Sequence, residues 1–319
     1  MKARAFGELM ERIQELTPQQ RERLRTALAV PNSQAGVPTV LERAPSECPH
    51  CGAHHPVRYG HVRGQQRWRC HACQRTFGML TGTPLMGLHH KSAWTGFAQA
   101  MSEGLSVRKT AKRCGIHRDT AFRWRHRFLA LPAEVQAKAL SGIVEVDETL
   151  LRQSEKGRKT LERKPRRRGG YAKAGRSDDQ VCVLVARDRS GRTLSRTLQR
   201  FDAETVNSTI GRCVDRDAVL CTDAVPVYQR FARERDLAHE FVNLSQGERV
   251  RERVFHIQNV NAYDRRLKQW LDRFHGVATK YLDHYLGWFR MLDSLGEQIT
   301  PNHLLVAAVG RGYQYDLTT

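Results

Sequence analysis

Four of the eight cysteines lie in two identically spaced pairs. Cys48 and Cys51 form the first Cys-x-x-Cys pair, Cys70 and Cys73 form the second, and eighteen residues separate the two pairs. Each such turn directs two thiolates towards one centre, and four thiolates complete the tetrahedral coordination of zinc without an open position. The spacing therefore predicts a structural zinc ion. A pair of disulfides and a redox-active dithiol are the alternatives.

Two aspartates lie in apolar segments that have the composition of buried strands. Asp147 is part of the segment at 142–151, and Asp223 ends the segment at 218–223. Carboxylates at the ends of neighbouring strands converge on one spot, where two or three of them hold a pair of Mg²⁺ ions for in-line phosphoryl transfer. Aspartate is also common where a strand passes into a loop, so an ordinary loop boundary is the alternative.

Two polar residues of a downstream segment with a helical pattern help to decide between a metal site and an ordinary loop boundary. Asn261 comes 38 residues after Asp223, and Lys268 comes seven residues after Asn261. Seven residues are two turns of a helix, so both side chains point to the same side. This spacing favours a functional interpretation of the two aspartates.

Residues 106–124 fit a helix-turn-helix. Gly115 is placed to supply the turn, and Ile116, Ala121 and Trp124 are predicted to pack inward. A recognition helix places its outer side chains against phosphates and base edges in the major groove. For the second helix these outer residues are predicted to be Arg118, Arg123, Arg125 and Arg127. An ordinary basic helical hairpin is the alternative.

The whole chain is strongly basic. Its 53 Lys and Arg exceed its 33 Asp and Glu, which gives a formal charge of +20 over 319 residues. Clustered cations gain affinity for a polyanion by releasing the counterions condensed on its phosphates, so this excess predicts a nucleic-acid partner. Residues 154–176 hold ten of the cations, and we expect this basic insertion to contact DNA through Arg166, Arg167 and Arg168.

Hydrophobic periodicity predicts the elements that position these groups. We find no stretch with the length of a membrane-spanning helix and no signal-peptide pattern, so we expect no membrane partner and a location in the bacterial cytoplasm at the nucleoid. The predicted organisation is N-terminal helices (1–30), a linker (31–46), a zinc ribbon with a hairpin turn at Gly64 and a packing surface at Trp68 (47–80), a helical helix-turn-helix-like region (81–140), an α/β domain interrupted by the basic insertion (141–300) and a C-terminal tail (301–319).

The order of these motifs resembles a known family, the insertion-sequence transposases of the DDE superfamily that carry an N-terminal zinc ribbon. The segment from His256 to Trp288 is especially similar to the subgroup in which Asn replaces the third acidic ligand. The resemblance implies a ribonuclease-H-like catalytic domain. It also implies that Asp147, Asp223 and Asn261 bind the catalytic Mg²⁺, with Mn²⁺ as an alternative ion, and that Lys268 faces DNA phosphate near the site.

The Asp-Asp-Asn set carries one negative charge fewer than Asp-Asp-Glu, because an amide oxygen coordinates Mg²⁺ without a charge. Glu145, Glu148 and Asp264 are the nearby acids that could compensate. Along the strand, Glu145 and Asp147 share a face and Glu148 points to the other.

The resemblance implies a DNA transposase that binds the ends of its element, cleaves DNA with metal-activated water and joins the freed 3′ hydroxyl to target DNA. We expect it to act on double-stranded DNA, both transposon ends and target, as a homo-oligomer. The rival functions are an element-derived DNA-binding regulator that no longer cuts, and a metal-dependent nuclease without strand joining.

Overall fold

The computed structural model describes residues 12, 15–21, 44–62, 64–161, 177, 179–243 and 246–310. Most of the predicted N-terminal helices and linker lies outside these described residues. The same holds for most of the basic insertion, including Arg166, Arg167 and Arg168. Within the described residues, no helix has the length and apolar character needed to cross a bilayer.

The start of the second predicted N-terminal helix is described. Residues 18–21 are helical. The Thr17 side chain accepts a hydrogen bond from Gln20 N at 3.3 Å, and the Gln20 side chain accepts one from Thr17 N at 2.9 Å. This reciprocal pair is a capping box, which satisfies backbone donors at the first turn. A helix therefore begins after Thr17, within the predicted N-terminal helices.

A three-stranded antiparallel sheet forms between the two cysteine pairs and just beyond them. In order, its strands are β1 (Val57–Val62), β2 (Gln65–Arg69) and β3 (Thr76–Gly78). Gly64 adopts a φ of 76° in the turn between the first two strands, which is the conformation that favours glycine. Trp68 pairs with Phe77 across the sheet, and both are buried with Cys48 and Cys70 in a small separate core. The predicted hairpin is confirmed.

Three helices follow the ribbon: α1 (Trp94–Ser102), α2 (Val107–Cys114) and α3 (Arg118–Glu134). Ser106 caps α2 by accepting a hydrogen bond from Lys109 N, and Gly115 ends it with a φ of 61°. The side chains of Ala121 and Trp124 are buried, as the helix-turn-helix pattern predicts.

A five-stranded mixed sheet forms the centre of the second half. Its strands are β4 (Ile143–Arg152), β5 (Gln180–Asp188), β6 (Thr193–Leu198), β7 (Val219–Asp223) and β8 (Ala238–Val242). The strand order is β6-β5-β4-β7-β8, with β5 antiparallel to both neighbours and β7 parallel to both of its own. This order and these directions are those of a ribonuclease-H-like sheet, which confirms the predicted fold class.

Helices cover both faces of this sheet. They are α4 (Ala203–Ile210), α5 (Pro226–Arg235), α6 (Gln258–Asp272), α7 (Leu282–Leu295) and α8 (Pro301–Val309). Strand side chains alternate between faces. The face with Val144 and Val146 packs with α4 and α5, and the face with Val183 and Cys221 packs with α6 and α7. The second face also shares its core with α1, α2 and α3.

The helix-turn-helix region and the sheet domain are joined by α3 and α7. At Gly287 a Cβ atom would lie 2.4 Å from the Pro132 carbonyl oxygen, so only glycine permits this close approach. One turn later, buried Arg290 donates hydrogen bonds to the carbonyl oxygens of Ser195 at 2.7 Å and Val135 at 2.8 Å. Burial lowers the pKa of Arg290 to about 10, and five backbone and side-chain acceptors hold its guanidinium in place.

The predicted C-terminal tail is wrong for residues 301–309. They form α8, in which Leu304, Val306 and Ala308 are buried. The helix begins at a Thr300 cap followed by Pro301, and it ends at Gly310 in the left-handed conformation. The apolar residues of this segment favour a helix that packs on the rest of the protein, and α8 lies against α1 and α3.

Candidate functional site

The four predicted zinc ligands lie together. The Sγ atoms of Cys48 and Cys73 are 3.7 Å apart, those of Cys51 and Cys70 are 3.6 Å apart, and all four lie within 4.8 Å of one another. Zinc–sulfur bonds of about 2.3 Å place tetrahedral ligands about 3.8 Å apart. The thiols therefore fit a zinc ion, and these free cysteines form no disulfide.

Asp147 and Asp223 lie at equivalent positions of two adjacent parallel strands. The prediction that both aspartates end their strands holds for Asp223 and is wrong for Asp147, because β4 stays paired with β5 as far as Arg152. The register of β4 and β7 aligns Glu145 with Cys221, and each aspartate comes two residues later on its own strand. Because alternate residues share a face, Asp147 lies on the face of Glu145 and Asp223 on the face of Cys221, towards α6. Asp223 also accepts a hydrogen bond from Val225 N at 3.3 Å, where the chain turns into α5.

Glu148 lies on the opposite face from Asp147, as strand alternation predicts. Its carboxylate accepts a hydrogen bond of 2.6 Å from the hydroxyl of Tyr228 on α5. Tyr228 belongs to the core under the other face of the sheet. The sequence alone did not indicate this partner.

The carboxyl group of Asp147 has a strongly raised pKa. Burial, followed by the negative charges of Glu148, Asp264 and Asp223, raises the pKa of Asp147 to about 8. The Glu148 backbone N–H donates to its Oδ1 at 2.9 Å. Carboxylates that raise one another's pKa become a favourable site for a cation, because a bound cation removes the repulsion.

Asp264 is the buried acid of α6. Its residue is only 5% exposed, and its Oδ1 has no hydrogen-bond partner among the described residues. Burial raises the pKa of Asp264 to about 7, against the opposing effect of Lys268 one turn later.

Asn261 and Lys268 lie on the same side of α6 as Asp264 but are exposed. Residues at positions i, i+3 and i+7 of a helix form one stripe, so Asn261, Asp264 and Lys268 run along the edge that faces the two strand ends. The structure thus brings Asp147, Asp223 and Asp264 together, with Asn261 and Lys268 at the solvent side of the same helix.

Glu145 has a different role from the one considered in the sequence. This fully buried carboxylate accepts hydrogen bonds from Asn259 N and Asn259 Nδ2, both at 2.8 Å, and from Val260 N at 2.9 Å. It also lies 3.2 Å from the Arg189 guanidinium and 3.5 Å from His256 Nδ1. Glu145 therefore binds the first turn of α6 to β4, two residues before Asp147, and is not available to a metal ion.

The carboxylates are more widely spaced than the thiols. Among the described residues, the four cysteines form the only group of three or more His, Cys, Asp or Glu side chains whose ligand atoms all lie within 4.8 Å of one another. Acids spread around a cleft suit a pair of divalent ions, which lie about 3.5–4 Å apart in two-metal sites. The burial of Asp147 and the unpartnered Oδ1 of Asp264 agree with such a site.

Comparison with known families decides the assignment. Residues 139–290 match the family of ISXO2-like transposase domains, and residues 96–132 match the homeodomain-like domains. Residues 139–290 form an ISXO2-like transposase domain. The resemblance to the DDE transposases is confirmed for this domain, and so is the expected assignment as a DNA transposase; the Asn-containing subgroup stays a prediction.

Relatives of the transposase are found among proteins and solved structures. An uncharacterized protein in transposable element ISH50 of Halobacterium salinarum is 28% identical over 254 residues, which are 76% of this chain and 84% of that protein. A Mos1 strand transfer complex is 12% identical with a TM-score of 0.24 and covers 69% of this chain and 78% of that one. A simian T-cell lymphotropic virus intasome is 10% identical with a TM-score of 0.29, covering 61% and 67%. The assignment rests on the domain matches, because these structural similarities are low.

The homeodomain-like part of the transposase contains α1, α2 and α3. Arg118 and Arg123 are exposed on α3, as predicted. Arg127 is exposed, but its guanidinium donates to the carbonyl oxygens of Pro84 and Met86, so it ties the preceding loop to the helix.

The prediction that Arg125 faces outward is wrong. Arg125 is fully buried, donates to the Leu105 carbonyl oxygen at 2.6 Å and lies 5.0 Å from the ring of Trp288. The physical reason is helical phase: Arg125 follows Ala121 by four residues and precedes Phe128 by three, which places it on the inward stripe of α3.

Proposed function

We propose that this DNA transposase cleaves and joins DNA strands at a divalent-metal centre formed by Asp147, Asp223 and the facing edge of α6. The observation that carries the proposal is the position of the two aspartates at equivalent positions of adjacent parallel strands, on the face covered by the helix that bears Asn261 and Lys268. The proposed metal ligands are Asp147, Asp223 and Asn261. The proposed ion is Mg²⁺, which Mn²⁺ could replace.

Divalent ions bound at such a site activate an attacking oxygen and stabilise the leaving oxygen of an in-line phosphoryl transfer. The chain's own residues have three tasks. Asp147 and Asp223 hold the cations in their charged form, and Asn261 contributes an uncharged oxygen. Lys268, one turn beyond Asp264, pairs with a DNA phosphate at the solvent edge. Glu145 and Arg189 keep α6 in register with the strand ends, so the catalytic groups stay in place as DNA binds.

We assign DNA recognition to three surfaces. Arg118 and Arg123 on α3 are placed to contact the DNA of the element end, and the zinc ribbon adds a second contact. The basic insertion at 154–176 is proposed to bind flanking phosphates without sequence preference, which predicts a steep dependence of affinity on salt. The four cysteines hold zinc as a structural ion that substitutes for a larger core. A homo-oligomer on DNA remains a prediction.

A strand-transfer assay separates the transposase from its rivals. The substrate is labelled duplex DNA that carries the inverted repeats flanking the gene, with Mg²⁺ and a target plasmid. The proposal expects cleavage at the repeat and joined products, and it expects Asp147→Ala and Asp223→Ala to bind DNA without cutting. Cleavage that persists in both variants would place the active site elsewhere. Specific binding without any cleavage by the wild type would support a regulator, and cleavage without joining would support a nuclease.

A further inference from the structure

The third metal ligand of the proposed centre carries no charge, because Asn261 offers an amide oxygen. A pair of divalent cations is held more weakly by two carboxylates than by three. The following inference rests on the proposed function and concerns the residue that restores the missing charge.

Two of the three nearby acids are already occupied. Glu145 accepts three hydrogen bonds from Asn259 and Val260 and faces Arg189 and His256. Moving it to a metal would leave the first turn of α6 without acceptors for its N–H groups. Glu148 lies on the other face of the sheet.

The Tyr228 hydroxyl holds Glu148 on that face with a 2.6 Å hydrogen bond. Tyr228 is itself completely buried between α5 and the sheet, so the pair has little freedom to turn towards α6. The charge of Glu148 acts on both Asp147 and Asp264, but its Oε2 already accepts the hydrogen bond from Tyr228.

Asp264 differs from both acids. It is 5% exposed, its Oδ1 has no hydrogen-bond partner among the described residues, and it is one of the charges that act on Asp147. A buried carboxylate oxygen without a donor is costly in a folded protein. The cost is removed if a cation occupies the space between Asp264 and Asp147.

We propose that Asp264 is a further metal ligand of this transposase, which supplies through Oδ1 the negative charge that Asn261 lacks. Asp264 lies three residues after Asn261 on the same stripe of α6. The negative charge thus lies one helical turn beyond the exposed Asn261, at a buried position.

The test measures Mn²⁺ affinity by electron paramagnetic resonance in the zinc-loaded, full-length protein. Asp264→Asn keeps the size of the side chain and should weaken the tighter Mn²⁺ site by roughly tenfold or more. Asp272→Asn changes an exposed acid on the same helix and should leave the affinity within about twofold of wild type. Asn261→Asp combined with Asp264→Asn should recover most of the lost affinity, because it returns the charge to the neighbouring turn.

Thermal melting of the metal-free protein separates a ligand from a structural residue. If Asp264 is a metal ligand whose charge repels Asp147, Asp264→Asn should leave the melting temperature of the metal-free protein unchanged or raise it. Wild-type Mn²⁺ affinity in Asp264→Asn would overturn the proposal, and so would a lowered metal-free melting temperature together with no recovery in the double variant. An affinity that Asp147→Asn leaves unchanged would instead overturn the proposed metal centre itself.

Discussion

Replacement of Glu145 tests how the catalytic helix is held against the sheet. The buried carboxylate accepts three hydrogen bonds of 2.8–2.9 Å from the start of α6 and lies 3.2 Å from Arg189. Breaking a buried charged pair by removing one partner costs about 3–5 kcal/mol, so Glu145→Ala should lower the free energy of unfolding by that amount. Glu145→Gln keeps one accepting oxygen but loses the charge, and about 2 kcal/mol is expected.

Urea unfolding followed by circular dichroism measures both changes. Glu134→Gln is the control, because Glu134 forms an exposed ion pair with Arg196 and should change stability by roughly 0–1 kcal/mol. Mg²⁺ should still stabilise Glu145→Gln, since Glu145 binds the helix and not the ion. The reasoning is refuted if Glu145→Gln matches the control in stability, or if it keeps wild-type stability but loses the stabilisation by Mg²⁺.

Three further predictions concern the ribbon, the recognition helix and pH. Cys70→Ser should reduce the zinc content, measured by atomic emission, below one ion per chain. It should also unfold residues 47–80 while the transposase domain still melts cooperatively. An unchanged zinc content would contradict the four-thiolate site. Arg123→Ala should reduce the slope of log DNA affinity against log salt concentration, measured by fluorescence anisotropy, by about 1. Arg125→Ala should leave that slope unchanged and lower the melting temperature measured by calorimetry. The pKa of Asp147 rises from its ordinary 3.8 to about 8 on folding, so between these pH values the folded metal-free protein binds one more proton than the unfolded chain. Its free energy of unfolding should therefore fall as the pH rises from about 4 to about 8. Asp147→Asn should flatten this dependence on pH, and a wild-type slope in the variant would argue against the shift.

Local patterns predicted much of the fold. The apolar segments at 142–151 and 218–223 form β4 and β7 to within one residue at each end. The cysteine spacing predicted four sulfur atoms at one centre, because the two turns and the short hairpin between them leave little other choice. The strand-end aspartates were also predicted to converge, and the parallel register of β4 and β7 places them side by side.

The remaining features depend on contacts between distant residues. Glu145 and Asn259 are 114 positions apart, so nothing in the local sequence indicates that one caps the helix of the other. Basic side chains are usually exposed, which is why Arg125 is expected outside, whereas its spacing from Ala121 and Phe128 places it inside. Burial of Asp264 likewise depends on how α6 packs on the sheet, which the 3.6-residue period of the helix only partly specifies.

A change of metal preference at Asp147 and Asp223 tests the catalytic centre most directly. Asp147→Cys and Asp223→Cys place a softer sulfur ligand where an oxygen binds Mg²⁺, and thiolates bind Mn²⁺ better than Mg²⁺. The account predicts that both variants bind element-end DNA, fail to cleave it in Mg²⁺ and regain part of their cleavage in Mn²⁺. Wild-type cleavage by either variant in Mg²⁺ would contradict it.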